Sequence, residues 1–194
     1  MITPSHAVIN AFAARHTGVQ ARLTLRERRT FIVGGVAPDV ALYVLNLAAI
    51  VYYPIVDGLS LSQTHQRAMD DLYFNSPWWI VGHNVLHAPL LLVAAFAAAS
   101  LITPPWRRRV RCFAAGALLH ALIDIAVHHD DGPLVFFPVS WSIRFASPVS
   151  YWDPEHFGWF MRPLDLAITA TGVVWLGRWW RTRSTTRSEL TKSV

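Results

Sequence analysis

Charged residues are scarce in this chain: they make up 15% of its 194 residues, against about a quarter in soluble domains. The shortfall argues against an ordinary soluble domain and points to lipid as the surrounding solvent. Cysteine is scarcer still. Cys112 is the only one, which excludes an intramolecular disulfide and a thiolate-rich structural zinc site. It lies in an apolar run and reads as packing. Residues 1–16 do not read as a cleavable signal peptide, because they lack a basic start and carry Asn10 and Arg15 within their apolar stretch. No internal repeat is visible.

What the chain does have is apolar surface. Hydrophobic residues make up 53%, mean hydropathy is +0.32, and there are nine tryptophans, a residue that concentrates at membrane interfaces. Crossing the hydrocarbon takes about 20 mainly apolar residues. Four segments approach this: residues 31–53, 78–102, 110–127 and 157–180. The second has no Asp, Glu, Lys or Arg; the fourth is the weakest, with Arg162, Asp165 and Arg178 in it. The expected fold is therefore all-α: an integral membrane bundle of about four transmembrane helices plus a short N-terminal helix over residues 4–14. Thr3 is a suitable cap for that helix and Pro4 suits its first position. It either packs inside the bundle or lies on the surface. Residues 1–180 form one membrane-embedded domain, and 181–194, rich in Ser, Thr and Arg, form a flexible basic tail.

Net charge is +5 with a pI near 10.0, but the arginines sit between apolar runs rather than on one basic face. They read as topology signals, and no nucleic-acid partner is expected. Arg22, Arg26, Arg28 and Arg29 precede the first segment. Arg107, Arg108, Arg109 and Arg111 separate the second and third, and Arg178, Arg181, Arg183, Arg187 and Lys192 close the chain. The other two loops are poor in base. Positive loops stay cytoplasmic, so the pattern describes a multi-pass protein of the bacterial inner membrane with both basic termini cytoplasmic.

Ionisable residues inside spans are costly and by default functional. Here they are Asp39, His83, His87, His120 and Asp124, with His128 and His129 just beyond. His83 and His87 are four apart, as are His120 and Asp124, so on continuous helices each pair shares a face. A rise of about 1.5 Å per residue places Asp39 about 13 Å into its span and His120 about 15 Å into its own. On the same scale, His83, His87 and Asp124 lie about 8–14 Å below the outer face. The side chains converge on one layer between midplane and outer surface. Imidazoles and carboxylates gathered at one depth suit a divalent metal, zinc foremost. Asp39 or Asp124 then serves as ligand or as general base. His128 to Asp131 is either an outer shell around the metal or a solvated turn before Gly132-Pro133. Arg144 and His129 are the candidates for contact with substrate, although Arg144 reads equally as a loop anchor.

At these residues the sequence resembles the bacterial membrane-bound metal-dependent hydrolases. The stretches that carry the resemblance are Thr3-Pro4-Ser5-His6, Gly35-Val36-Ala37-Pro38-Asp39, Gly82-His83-Asn84-Val85-Leu86-His87, Leu119-His120-Ala121-Leu122-Ile123-Asp124, His128-His129-Asp130-Asp131-Gly132-Pro133, Phe137-Pro138-Val139-Ser140, and residues 147–154. That family is distantly similar to zinc-dependent phospholipase C and P1 nuclease. The similarity implies His6, Asp39, His83 or His87, His120 and Asp124 as metal ligands, with His128 or His129 completing a second metal site. It also implies hydrolysis of a phosphoester, and the depth of the site suits a lipid or lipid-linked one. The chain departs from the family at Asp39-Val40-Ala41, where a second acid is usual. The competing classes are an ion- or proton-coupled transporter and a non-catalytic metal-binding membrane protein. A transporter relay needs ionisable groups along the full depth, and the inner half of the best spans has few.

Overall fold

The computed structural model describes residues 1–16 and 23–192; Arg22 lies outside them. Among the described residues every regular element is helical. The first helix, α1, spans Thr3–His16. Helix α2 (Leu25–Gly34) starts on a capping box: the Thr24 hydroxyl accepts from the Glu27 amide, and the Glu27 carboxylate accepts from the Thr24 amide. The same carboxylate meets Arg108 at 2.8 Å, pinning the start of α2 to the start of the later helix α8 (Trp106–Val127).

Residues 31–53 do not form one helix. The chain turns at Gly35–Val36, and α3 begins anew as Ala37–Val56. Pro38 has no N–H with which to bond the Gly34 carbonyl, so the helical ladder cannot continue through it. Beyond α3 come α4 (Leu61–Gln66), a π-helical turn (Arg67–Leu72) and α5 (Tyr73–Asn75). The expected segment 78–102 is also broken. Helix α6 (Pro77–Asn84) and α7 (Pro89–Ala98), extended by a 3-10 turn through Leu101, are bent by 51°. Pro89 forces the bend, because the residue before a proline avoids helical backbone, and Ala88 is extended (φ −70°, ψ 117°).

Helix α9 spans Gly158–Lys192. Its backbone stays helical across 181–192, the stretch read from sequence as a tail. Among the described residues α3 and α8 are each long and apolar enough to cross a membrane, and the bent α6–α7 pair makes a third if taken as one span. The count expected from sequence was four. Arg162, Asp165 and Arg178 interrupt the apolar run of α9. Only 6% of the apolar stretch of α3 is buried inside the protein, against 39% of that of α8.

Small residues let α2 and α8 touch backbone to backbone. A Cβ on Gly34 would stand 2.2 Å from the Phe113 carbonyl oxygen, and one on Gly116 would stand 2.0 Å from that of Phe31. Such contacts hold helices together where burial in lipid gains nothing. They also fix register, setting Gly35 beside His120. Helix α1 packs inside the bundle against α9, α2 and α8. The Ser5 hydroxyl donates to the Asp165 carbonyl at 3.1 Å and lies 2.6 Å from Thr169 Oγ1. The Ile2 amide donates to the Asp165 carboxylate at 3.0 Å. Met1 consequently sits beside Asp124, at the opposite end of α8 from Arg107, Arg108 and Arg109.

The long connection between α8 and α9 folds back on the bundle. The Asn84 side chain, fully buried, donates to the Ile80 carbonyl and accepts from the Leu134 amide at 2.7 Å. The Ser147 hydroxyl donates to the Ala126 carbonyl.

Candidate metal centre

Four elements converge beside the last turns of α8. His120 and Asp124 come from α8 itself, Asp39 from the first turn of α3, His87 from the break between α6 and α7, and His6 from α1. One ligand atom from each of Asp39, His87, His120 and Asp124 lies within 4.8 Å of the other three. His87, His120 and Asp124 are buried, and the Asp39 side chain is 15% exposed.

Backbone carbonyls decide which imidazole nitrogens face the centre. His87 Nδ1 donates to the His83 carbonyl at 2.8 Å, and His120 Nδ1 donates to the Gly35 carbonyl at 2.9 Å. With those protons committed, both neutral rings present an Nε2 lone pair inward, and the two nitrogens stand 3.1 Å apart. Two lone pairs aimed at each other repel unless a proton or a metal ion lies between them. The remaining distances complete the figure. Asp39 Oδ1 is 3.5 Å from each Nε2, and Asp124 Oδ2 is 3.0 Å from His120 and 3.8 Å from His87. Tetrahedral zinc with ligands at about 2.0–2.1 Å has ligand–ligand edges of about 3.3 Å. The donor set therefore fits a divalent ion of that size: the cluster of Asp39, His87, His120 and Asp124 can hold a metal.

Neighbours hold the two carboxylates in place. The Thr3 hydroxyl donates to Asp39 Oδ2 at 2.5 Å and touches the Tyr43 hydroxyl at 2.9 Å, which leaves Oδ1 facing the imidazoles. Asp124 Oδ1 turns the other way. It lies 3.0 Å from His6 Nε2, 2.9 Å from the Met1 amino group and 3.7 Å from His128 Nε2. Asp124 thus bridges two groups of donors. The His6 ring stacks on His120 at 3.7 Å, and its buried Nδ1 has no partner among the described residues.

The other residues read from sequence fall outside the four-ligand group. His83 stacks on His87 at 4.2 Å, but its Nε2 donates to the Tyr73 hydroxyl, which in turn donates to the Asp131 carbonyl. His128 Nδ1 lies 2.9 Å from Asp131 Oδ1. Burial alone would raise the pKa of Asp131, but His128 and the Trp152 indole N–H, which donates to it, hold it below the ordinary carboxylate value. Burial and the carboxylates of Asp131 and Asp124 push Tyr151 up to about 12, so it stays protonated at neutral pH. His129 donates to the Ser147 carbonyl at 2.7 Å and stacks on His156 at 3.6 Å. The Arg144 guanidinium donates to the Gly132 carbonyl and lies over Tyr73 and Phe74. Neither His129 nor Arg144 lines the cavity of about 600 Å³ that opens from the centre.

Tyr73, Asn84 and the Gly35 carbonyl carry positioning roles that residue spacing does not announce. Pro89 is the one signal that could have separated His83 from His87, since a break there takes the two off a common helix face.

No family model, no curated protein and no solved structure matches this chain.

Proposed function

We propose that this chain is a membrane-embedded, metal-dependent hydrolase acting on a phosphoester or lipid substrate. Asp39, His87, His120 and Asp124 would hold the divalent ion, most simply zinc. The observation that carries the reading is the opposed Nε2 pair of His87 and His120, 3.1 Å apart with both Nδ1 protons already committed.

A divalent ion at this position supplies Lewis acidity toward a phosphoryl oxygen and ionises water near neutral pH. The protein's own part is orientation and proton handling. Thr3 and Tyr43 aim Asp39. Both oxygens of Asp124 are engaged, so Asp124 and Asp39 serve as ligands rather than as free bases. Proton transfer falls to His128, whose Nδ1 faces Asp131 while its Nε2 lies 3.3 Å from the Met1 amino group and 3.7 Å from Asp124 Oδ1. An imidazole oriented by a carboxylate is the usual form of a general base.

The membrane reading extends to four crossings, with α9 as the last and the basic ends of α2 and α8 cytoplasmic. His120 and Asp124 lie about 21 and 27 Å along α8 from its arginine-rich start, which puts the centre toward the outer half of the bilayer. The exposed Tyr43, Val44, Leu47, Ile50 and Val51 of α3 then face lipid.

Elemental analysis of detergent-purified protein tests the reading. About one equivalent or more of zinc or manganese is expected per chain, lost in the His120→Ala, Asp124→Ala double variant. The wild type, but not that variant, should then cleave a lipid phosphoester. Folded protein that was never exposed to chelator and carries no metal would refute the assignment.

A further inference from the structure

We propose that Arg162 is the phosphate-binding residue of the cavity, and that its ligand is a lipid phosphate: a phosphate group carried on acyl chains. The proposal rests on the hydrolase reading above and names the substrate class of that site.

The cavity is rich in acid. Asp39, Asp70, Asp124, Asp130 and Asp131 line it, and Arg162 is the sole arginine or lysine among its described lining residues. Three of those carboxylates already have partners: Asp39 has Thr3 and two imidazoles, Asp124 has His6, His120 and the Met1 amino group, and Asp131 has His128 and Trp152. None of these contacts involves Arg162. No hydrogen bond, ion pair or ring contact engages its guanidinium among the described residues. Arg144, by contrast, is occupied by the Gly132 carbonyl and two aromatic faces.

Position explains what an unengaged guanidinium could do here. Arg162 lies three residues before Asp165, whose carboxylate holds the Ile2 amide next to the metal centre. That separation is about 4.5 Å along α9. An anionic group entering among five carboxylates needs a cation to meet it, and a planar guanidinium suits phosphate oxygens. The wall supplied by α3 is of another kind. Leu42 and Tyr43 line it, Met69 of the π-helical turn and Phe74 of α5 add to the apolar lining, and Tyr43 continues into the exposed apolar face with Val40, Val44 and Leu47. A free phosphate makes no use of such a wall, whereas an acyl chain does. The cavity is thus polar at one end and open to apolar surroundings along its flank, the shape of an amphiphile.

Titration calorimetry in detergent tests the assignment with three probes: a non-hydrolysable phosphonate analogue of dihexanoyl phosphatidic acid, dihexanoylglycerol, and inorganic phosphate. The wild type should bind the phosphonate lipid about tenfold or more tightly than either of the others. Arg162→Ala should lose about tenfold or more of that affinity, with dihexanoylglycerol binding and zinc content unchanged. Arg162→Lys should recover part of it, and Arg26→Ala should change nothing. Equal binding of the phosphonate lipid by Arg162→Ala and wild type overturns the proposal, as does a parallel loss of both lipids. Equal binding of inorganic phosphate and the phosphonate lipid overturns its lipid half. The two readings fail separately. Arg162-dependent binding in a protein without zinc removes the hydrolase and leaves the phosphate site, and a zinc protein indifferent to Arg162 does the reverse.

Discussion

Substituting Gly116 with alanine should weaken metal binding, although residue 116 is not a ligand. The added Cβ would stand 2.0 Å from the Phe31 carbonyl oxygen and 3.3 Å from the Gly35 amide nitrogen. Both obstacles are backbone and cannot swing aside. To restore an ordinary contact of about 3.4 Å, α2 must retreat from α8 by about 1.4 Å, and overpacking of this kind costs about 1–3 kcal/mol. Gly35 lies at the end of α2 and moves with it. Its carbonyl now accepts from His120 Nδ1 at 2.9 Å; a similar displacement takes it to about 4 Å, outside hydrogen-bond range. His120 then loses the partner that fixes its tautomer and orientation. Loss of such a partner lowers metal affinity by about 10–100-fold. Competition with a chromophoric chelator would measure the affinity, and thermal unfolding of the same preparation would measure the stability. Gly177→Ala is the control, because a Cβ there meets nothing within 4 Å. If Gly116→Ala unfolds earlier yet binds zinc within about twofold of wild type, the link from helix packing to ligand orientation is wrong.

Three further outcomes are expected. Glu27 is pushed toward a higher pKa by burial but is held below its ordinary 4.5 by the Thr24 amide and hydroxyl and by Arg108. Its ionised form therefore stabilises the fold above that value, and the contribution is lost as pH falls through the lower, folded one. Gln preserves the capping box, so Glu27→Gln removes only the charge. With Arg108 55% exposed, the cost at neutral pH is about 0.5 kcal/mol, and the unfolding midpoints of the two proteins should converge as pH falls below the ordinary glutamate range; parallel pH profiles would refute this. Tyr73→Phe strands His83 Nε2 and the Asp131 carbonyl and should cost about 1–3 kcal/mol in thermal unfolding, with zinc content unchanged. His83→Ala should likewise keep its zinc while His87→Ala loses it, and equal loss in both would return His83 to the ligand set.

The centre was partly legible because candidate ligands at helical spacing share one helix face. His120 and Asp124 lie on an unbroken helix, so a rise per residue places them correctly relative to each other. The same arithmetic ranked His83 and His87 as equals, because it assumed a continuous helix where Pro89 breaks it. His6 could be reached only through resemblance to known hydrolases. The buried face of α1 carries Ser5, His6 and Asn10, so no apolar stripe marks which side turns inward. Arg144 drew notice as the only base in its loop, but its partner is a main-chain carbonyl, and no residue spacing encodes that choice. The α2–α8 contact is written in Gly34 and Gly116. Its consequence for His120 becomes visible only once the register is known.

The packing of α1 on α9 also sets the order of events at the ribosome. The second residue of the chain bonds to residue 165, and the fifth to residues 165 and 169. Synthesis delivers α1 first and its partner surface last. Until α9 emerges, Ser5 lacks the groups it bonds in the finished protein, and α1 lacks the wall that seats His6 against Asp124. Chains that stop short of α9 should leave the centre ajar. Metal occupancy would then report whether translation ran to completion, a quality check built into the last helix.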